Sequence, residues 1–158
     1  HPESEDFVGH QVHICAHLEV VSVEEGMAYG KITKSYDLVE DGFGVMPYRE
    51  PILSVIPQSG DDVKGVVLAG IKKIVMFATD DTVFLNRGAD DGLEPGMVLL
   101  IPFKQKPFDA EGMTVEMDRP LGRVVVVSTE PTTATATIHA SRRAVVAGQR
   151  FVPATLSP

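Results

Sequence analysis

Residues 20–47 read VVSVEEGMAYGKITKSYDLVEDGFGVMP and residues 126–153 read VVSTEPTTATATIHASRRAVVAGQRFVP, two stretches that align without a gap at a shift of 106 positions. Identities fall at Val20/Val126, Val21/Val127, Ser22/Ser128, Glu24/Glu130, Ala28/Ala134, Ile32/Ile138, Ser35/Ser141, Val39/Val145, Gly42/Gly148 and Pro47/Pro153. Average composition predicts about two matches over such a length, so an internal duplication is the simplest explanation. Each copy reads as strand, tight turn, strand, polar elbow and short strand. In the second copy the Val-rich residues 123–128 suit a buried strand, and Glu130-Pro131-Thr132 turns it. Residues 133–139 then alternate Ala or Ile with Thr. At the elbow, Ser35 or Ser141 is expected to cap a single helical turn carrying Val39 or Val145, which Gly42 or Gly148 ends. The chain re-enters the sheet near Val45 or Phe151.

Between the copies lies a central β block, residues 63–103. Residues 63–69, 71–78 and 82–86 are short apolar runs broken by Gly70 and an Asp80-Asp81 turn, and none keeps a helical period. The turn-rich stretch N-R-G-A-D-D-G-L-E-P-G, residues 86–96, precedes a strand over 97–103. Residues 104–118 read as an exposed hairpin or loop. The fold class expected is therefore all-β, a pseudo-symmetric barrel or sandwich in which the two copies close around the central block. A single duplicated module over residues 1–158 is the reading adopted, with a domain boundary near residues 57–62 as the alternative.

Composition limits the function. The 44% hydrophobic content is enough for a packed core without metals or disulfides. Trp is absent and aromatics make up 6%, which leaves little for stacking sugars or bases. A formal charge of −8 and a pI near 5.0 repel phosphate backbones, so nucleic acid is not an expected partner. The lone Cys15 cannot form an internal disulfide and is expected to be inert. No apolar run is long enough to span a bilayer. The sequence begins with His1, as a processed protein or an excised fragment would.

Candidate sites are few. His13, Cys15 and His17 alternate with Ile14 and Ala16, which on a strand sets two imidazoles and a thiol on one face, chemistry suited to zinc or copper. Three ligands along one flat strand do not converge on a tetrahedral ion, so no metal and no cofactor is expected. The pairs Asp61-Asp62, Asp80-Asp81 and Asp90-Asp91 sit beside Gly or in turns, where Asp serves backbone hydrogen bonds. Ser35 and Ser141 lie in no nucleophile motif, and no phosphate loop, HExxH or CxxC occurs. A non-enzymatic protein is the expectation. The rivals are a small-ligand or glycan-binding β-barrel and a hydrolase using carboxylates near Asp90, Asp91 and Glu94. The strand over 97–103 and the following loop, with Met113 and Met117, are the expected partner contacts, as open strand edges accept another strand.

The linked motifs S-x-x-x-V-x-x-G with a following Pro, at Ser35, Val39, Gly42, Pro47 and at Ser141, Val145, Gly148, Pro153, carry a family resemblance. So does G-x-x-x-G-L-x-P-G at Gly88, Gly92, Pro95 and Gly96. Together they resemble the C-terminal region that follows the LysM module in certain Gram-negative envelope proteins, and the related C-terminal domain of the flagellar assembly protein T. The resemblance covers most of residues 12–154. It implies a periplasmic or cell-envelope scaffold or protein-interaction module, accompanying a peptidoglycan-binding segment, with an envelope protein as partner or peptidoglycan reached through a neighbouring module. Where the family often carries Asp after the elbow Gly, this chain has Phe43 and Gln149. The LysM module itself is not within these residues.

Overall fold

The computed structural model describes residues 1–2, 4–50, 63–71, 74–103, 108–110, 113–115 and 120–154. The expected boundary at 57–62, the Asp61-Asp62 pair and Met117 lie outside the described residues. The chain divides into two compact units, His10–Glu50 and His1–Gly9 with Pro51–Pro158.

The first unit is built on one hairpin, β1 (Ala16–Glu24) and β2 (Met27–Ser35). Its two-residue loop has positive φ at both positions, 31° at Glu25 and 87° at Gly26, the conformation whose twist matches paired strands. The first copy of the repeat supplies this hairpin and the segment after it.

The second unit is all β. Its strands are β3 (Gly65–Gly70), β4 (Met76–Phe77), β5 (Thr82–Leu85), β6 (Val98–Pro102), β7 (Phe108–Ala110), β8 (Met113–Val115), β9 (Pro120–Thr129), β10 (Ala134–Ser141), β11 (Val145–Val146) and β12 (Arg150–Pro153). Six of them form a closed barrel, β10-β5-β3-β12-β6-β9, with every pairing antiparallel. Closure removes every sheet edge. Period-2 alternation points Val124 and Val126 of β9 and Ala134, Ala136 and Ile138 of β10 inward, where all are buried. Phe77, Leu85, Leu99, Ile101 and Phe151 complete a solid apolar interior.

The all-β barrel is as expected, but its composition differs from the expected pair of copies around a central block. The central block and the second copy close the barrel, and the first copy contributes no strand to it. Two local expectations are also corrected. Val145 lies on β11, paired with β4 through Val145↔Phe77, rather than on a helical turn. Burial of an apolar side chain against β4 outweighs the capping signal, and Ser141 instead accepts no capping role: its N–H donates to Thr79 Oγ1 at 3.2 Å. The strand expected over 97–103, β6, is flanked by β12 and β9, so it offers no open edge to a partner. Of the Met residues, Met97 is buried, whereas Met46 and Met76 are exposed. The loop after β6 carries the hairpin β7–β8, with Met113 on β8.

The G-x-x-x-G-L-x-P-G motif is a clasp on the β9–β10 turn. Ala89 N–H donates to Glu130 O and Asp90 N–H to Pro131 O, both at 2.9 Å. A Cβ at Gly88 would collide with the Glu130 and Pro131 carbonyls, which is why the position takes no side chain. Gly92 N–H closes the short turn on Ala89 O at 3.0 Å, and Asp91 accepts the Gly88 N–H at 2.9 Å. Pro95 and Gly96, the latter at φ 93°, reverse the chain into β6, with Met97 N–H donating to Glu94 O.

Candidate functional site

The two copies are equivalent bond by bond, well beyond their sequence identity. In the first hairpin the partners run Ala16↔Ser35, His17↔Lys34, Leu18↔Ile32, Glu19↔Lys31, Val20↔Gly30, Ser22↔Tyr29 and Val23↔Ala28. In the second, Gly122↔Ser141, Arg123↔Ala140, Val124↔Ile138, Val125↔Thr137, Val126↔Ala136, Ser128↔Thr135 and Thr129↔Ala134 repeat each pair at the same shift. Both hairpins skip Val21 or Val127 on one strand and Thr33 or His139 on the other, so both irregularities are duplicated. The elbow is duplicated too. Tyr36 N–H donates to Cys15 O at 2.8 Å as Arg142 N–H does to Leu121 O at 2.9 Å, and Phe43 N–H to Glu40 O as Gln149 N–H to Val146 O. Gly42 and Gly148 both hold positive φ, at 89° and 85°.

What differs is the surroundings. Val124, Val126, Ile138 and Val145 are fully buried, while their counterparts Leu18, Val20, Ile32 and Val39 are 46%, 55%, 50% and 43% exposed. Val45, the counterpart of buried Phe151, is also exposed. Among the described residues β1 and β2 pair only with each other, so each has an edge with no third strand on it. An apolar face flanked by two open edges is the most distinctive surface of the first unit.

The residues singled out as possible metal ligands do not converge. The strand begins only at Ala16, because β2 ends opposite it at Ser35, so His13 and Cys15 precede the pleat that would have aligned them with His17. His13 Nε2 lies 3.3 Å from Asp37 Oδ2, on the exposed elbow. His17 packs edge-on against Tyr36 and Tyr48, with ring centroids 5.2 and 4.8 Å away. The Cys15 thiol points at the His13 carbonyl, 3.9 Å away. Among the described residues no three His, Cys, Asp or Glu side chains come together. The Asp37 carboxyl is held below its ordinary value of 3.8, first because it accepts the Leu38 N–H at 2.8 Å and then through His13.

The acidic turns and serines have structural duties. Asp81 Oδ2 accepts the Ala78 N–H at 2.8 Å, and Asp91 holds Gly88 while Arg87 Nε lies 3.5 Å from its other oxygen. Ser35 Oγ donates to Asp37 O at 2.9 Å rather than capping a helix. His139, near Ser141 in sequence, is the unpaired residue of a bulge and is exposed. Ile71, Ile74, Phe77, Asp80, Asp81 and Thr82 line an open hollow of about 160 Å³, small beside the roughly 300 Å³ at which ligand clefts begin. Neither spacing nor motif in the sequence links Asp37, Tyr36 and Tyr48 to His13 and His17.

The chain matches no family model, no curated protein and no solved structure. No helix among the described residues is long and apolar enough to cross a membrane.

Proposed function

We propose that the chain is a non-enzymatic scaffold module of a cell-envelope protein, a repeat-bearing piece that accompanies a peptidoglycan-binding segment. The carrying observation is what the two copies share. Most of their identical positions are Val, Ala and Ile, the elbow Ser and Gly, and the closing Pro, with Ser22/Ser128 and Glu24/Glu130 the polar identities of the hairpins. Duplication has kept chiefly the apolar framework and the turn residues, as a structural repeat requires. The barrel interior is filled by side chains rather than hollowed for a ligand, and Asp81 and Asp91 are engaged with backbone N–H groups. The compartment, and the peptidoglycan-binding neighbour, follow from the resemblance of the Ser35–Pro47, Gly88–Gly96 and Ser141–Pro153 motifs alone.

Co-sedimentation of the purified chain with insoluble peptidoglycan, with and without zinc or calcium, tests this reading, together with fractionation of cells that make the natural protein. The chain should stay in the supernatant and the natural protein should fractionate with the envelope. Retention of the isolated chain on peptidoglycan, or a cytosolic natural protein, overturns it.

A further inference from the structure

The β1–β2 hairpin has the geometry of β9–β10 and, among the described residues, pairs with none of the strands that β9–β10 close upon. In the barrel, β10 pairs with β5 through Ala134↔Leu85 to Thr137↔Thr82, and β9 pairs with β6 through Val98↔Val125 to Ile101↔Gly122. The corresponding edges of the first hairpin are Ala28, Tyr29, Gly30 and Lys31 on β2 and Ala16, His17, Leu18 and Glu19 on β1. The positions that face the barrel interior have uncharged counterparts throughout: Cys15 for Leu121, Leu18 for Val124, Val20 for Val126, Ala28 for Ala134, Gly30 for Ala136 and Ile32 for Ile138. The counterparts of the outward positions Arg123, Val125 and Thr137 are His17, Glu19 and Lys31. A hairpin solvated on both faces has no reason to keep one of them free of charge. This one carries Glu19 and Lys31, beside Val21 and Tyr29, where a barrel is wet, and is free of charge where a barrel is dry.

We infer that β1–β2 is the closing hairpin of a second barrel of the same kind, and that its apolar face is covered by a polypeptide segment with the pattern of β3, β5 and β6. The source is the same polypeptide, N-terminal to the hairpin. In the observed barrel those three strands all precede β9–β10 in sequence, and the shift that superposes the two hairpins puts their counterparts 106 positions ahead of residues 63–103, before the first of the 158 residues. The two-barrel tandem deepens the scaffold reading and rests on it only for its purpose; the geometry stands by itself.

The test compares this chain with the natural polypeptide extended N-terminally through the counterpart region. Two quantities are read: the rate at which a soluble aromatic disulfide modifies Cys15, and amide hydrogen exchange along β1 and β2. Extension should slow both by 100-fold or more and bring exchange in β1–β2 to the level of β9–β10. The preceding sequence should carry a G-x-x-x-G-L-x-P-G-like turn 106 positions before Gly88 to Gly96. Three results overturn the inference: a preceding sequence without that strand and turn pattern, unchanged exchange in the extended polypeptide, or protection that appears in the 158-residue chain with rising concentration, which would make a second copy the occupant. None of these bears on compartment or wall binding, so the scaffold reading fails or survives separately.

Discussion

Ile32 and Ile138 occupy the same register position in two copies of one hairpin, opposite Leu18 and Val124, so truncating each to Ala separates what the hairpin encodes from what its surroundings add. Ile138 is fully buried in the barrel and Ile32 is 50% exposed. Ile138→Ala removes three carbons worth about 0.8 kcal/mol each. With a partly relaxed cavity added, the loss should reach about 3–4 kcal/mol, inside the 2–5 kcal/mol range typical of such truncations. Ile32→Ala forfeits about half of the transfer contribution and leaves no closed cavity, so about 1 kcal/mol is expected, confined to the first unit. A urea titration followed by far-UV circular dichroism reads the barrel. With a slope of about 1.5 kcal/mol/M, Ile138→Ala should lower the barrel midpoint by about 2 M and leave the slope unchanged. Ile32→Ala should move that midpoint by less than about 0.3 M. A barrel loss below about 1 kcal/mol for Ile138→Ala, or equal losses for the two substitutions, would refute the assignment of these positions.

Tyr29, Tyr36 and Tyr48 are all the tyrosines and all lie in the first unit, so tyrosine fluorescence should report an earlier urea transition than circular dichroism; coincident curves would mean the two units unfold as one. Gly88→Ala should cost the barrel about 1–3 kcal/mol because its new carbon meets backbone rather than a movable side chain, and a loss under about 0.5 kcal/mol would show that the clasp yields. The Asp37 carboxyl should titrate below 3.8 by carbon NMR, and Asp37→Asn should remove the acid-sensitive part of the elbow. Because its folded value is depressed, any stability it lends is present above the unfolded value and is lost as pH falls through the folded one; a midpoint at or above 3.8 would contradict the hydrogen bonds assigned to it.

Much of the framework is legible in the sequence because it is local. Val20/Val126 to Pro47/Pro153 reveal the duplication, Glu130-Pro131-Thr132 marks a hairpin turn, and the turn formers of residues 86–96 mark the approach to β6. The non-local part is not legible. Residues 20–47 alternate as residues 126–153 do, so the pattern does not say which copy residues 63–103 close upon. For the same reason β6 looked like an edge: its flanking strands β9 and β12 are distant in sequence. The elbow at Val145 failed differently, because the spacing of Ser141, Val145 and Gly148 fits a helical turn as well as a bulged return, and pairing with β4 decided between them. The His13–Cys15–His17 alternation was true of the letters, but a strand needs a partner, and β2 stops at Ser35.

The contrast between the two copies also says what holds such a hairpin. Two strands alone are marginal in water, and three or more with an apolar face are needed for independent stability. Leu18, Val20, Ile32, Val39 and Val45 are each about half exposed or more. Covering the exposed part of each would contribute roughly 1 kcal/mol, or on the order of 5 kcal/mol together as an upper bound. That is comparable with the whole stability of a small domain. The register and both bulges of β1–β2 recur in β9–β10, whose surroundings differ. If a second barrel surrounds it as inferred, most of its stability comes from the strands that cover that face. A substitution placing charge there, such as Val20→Asp, should therefore cost on the order of 1 kcal/mol, confined to the first unit, in the 158-residue chain and severalfold more once the covering strands are present.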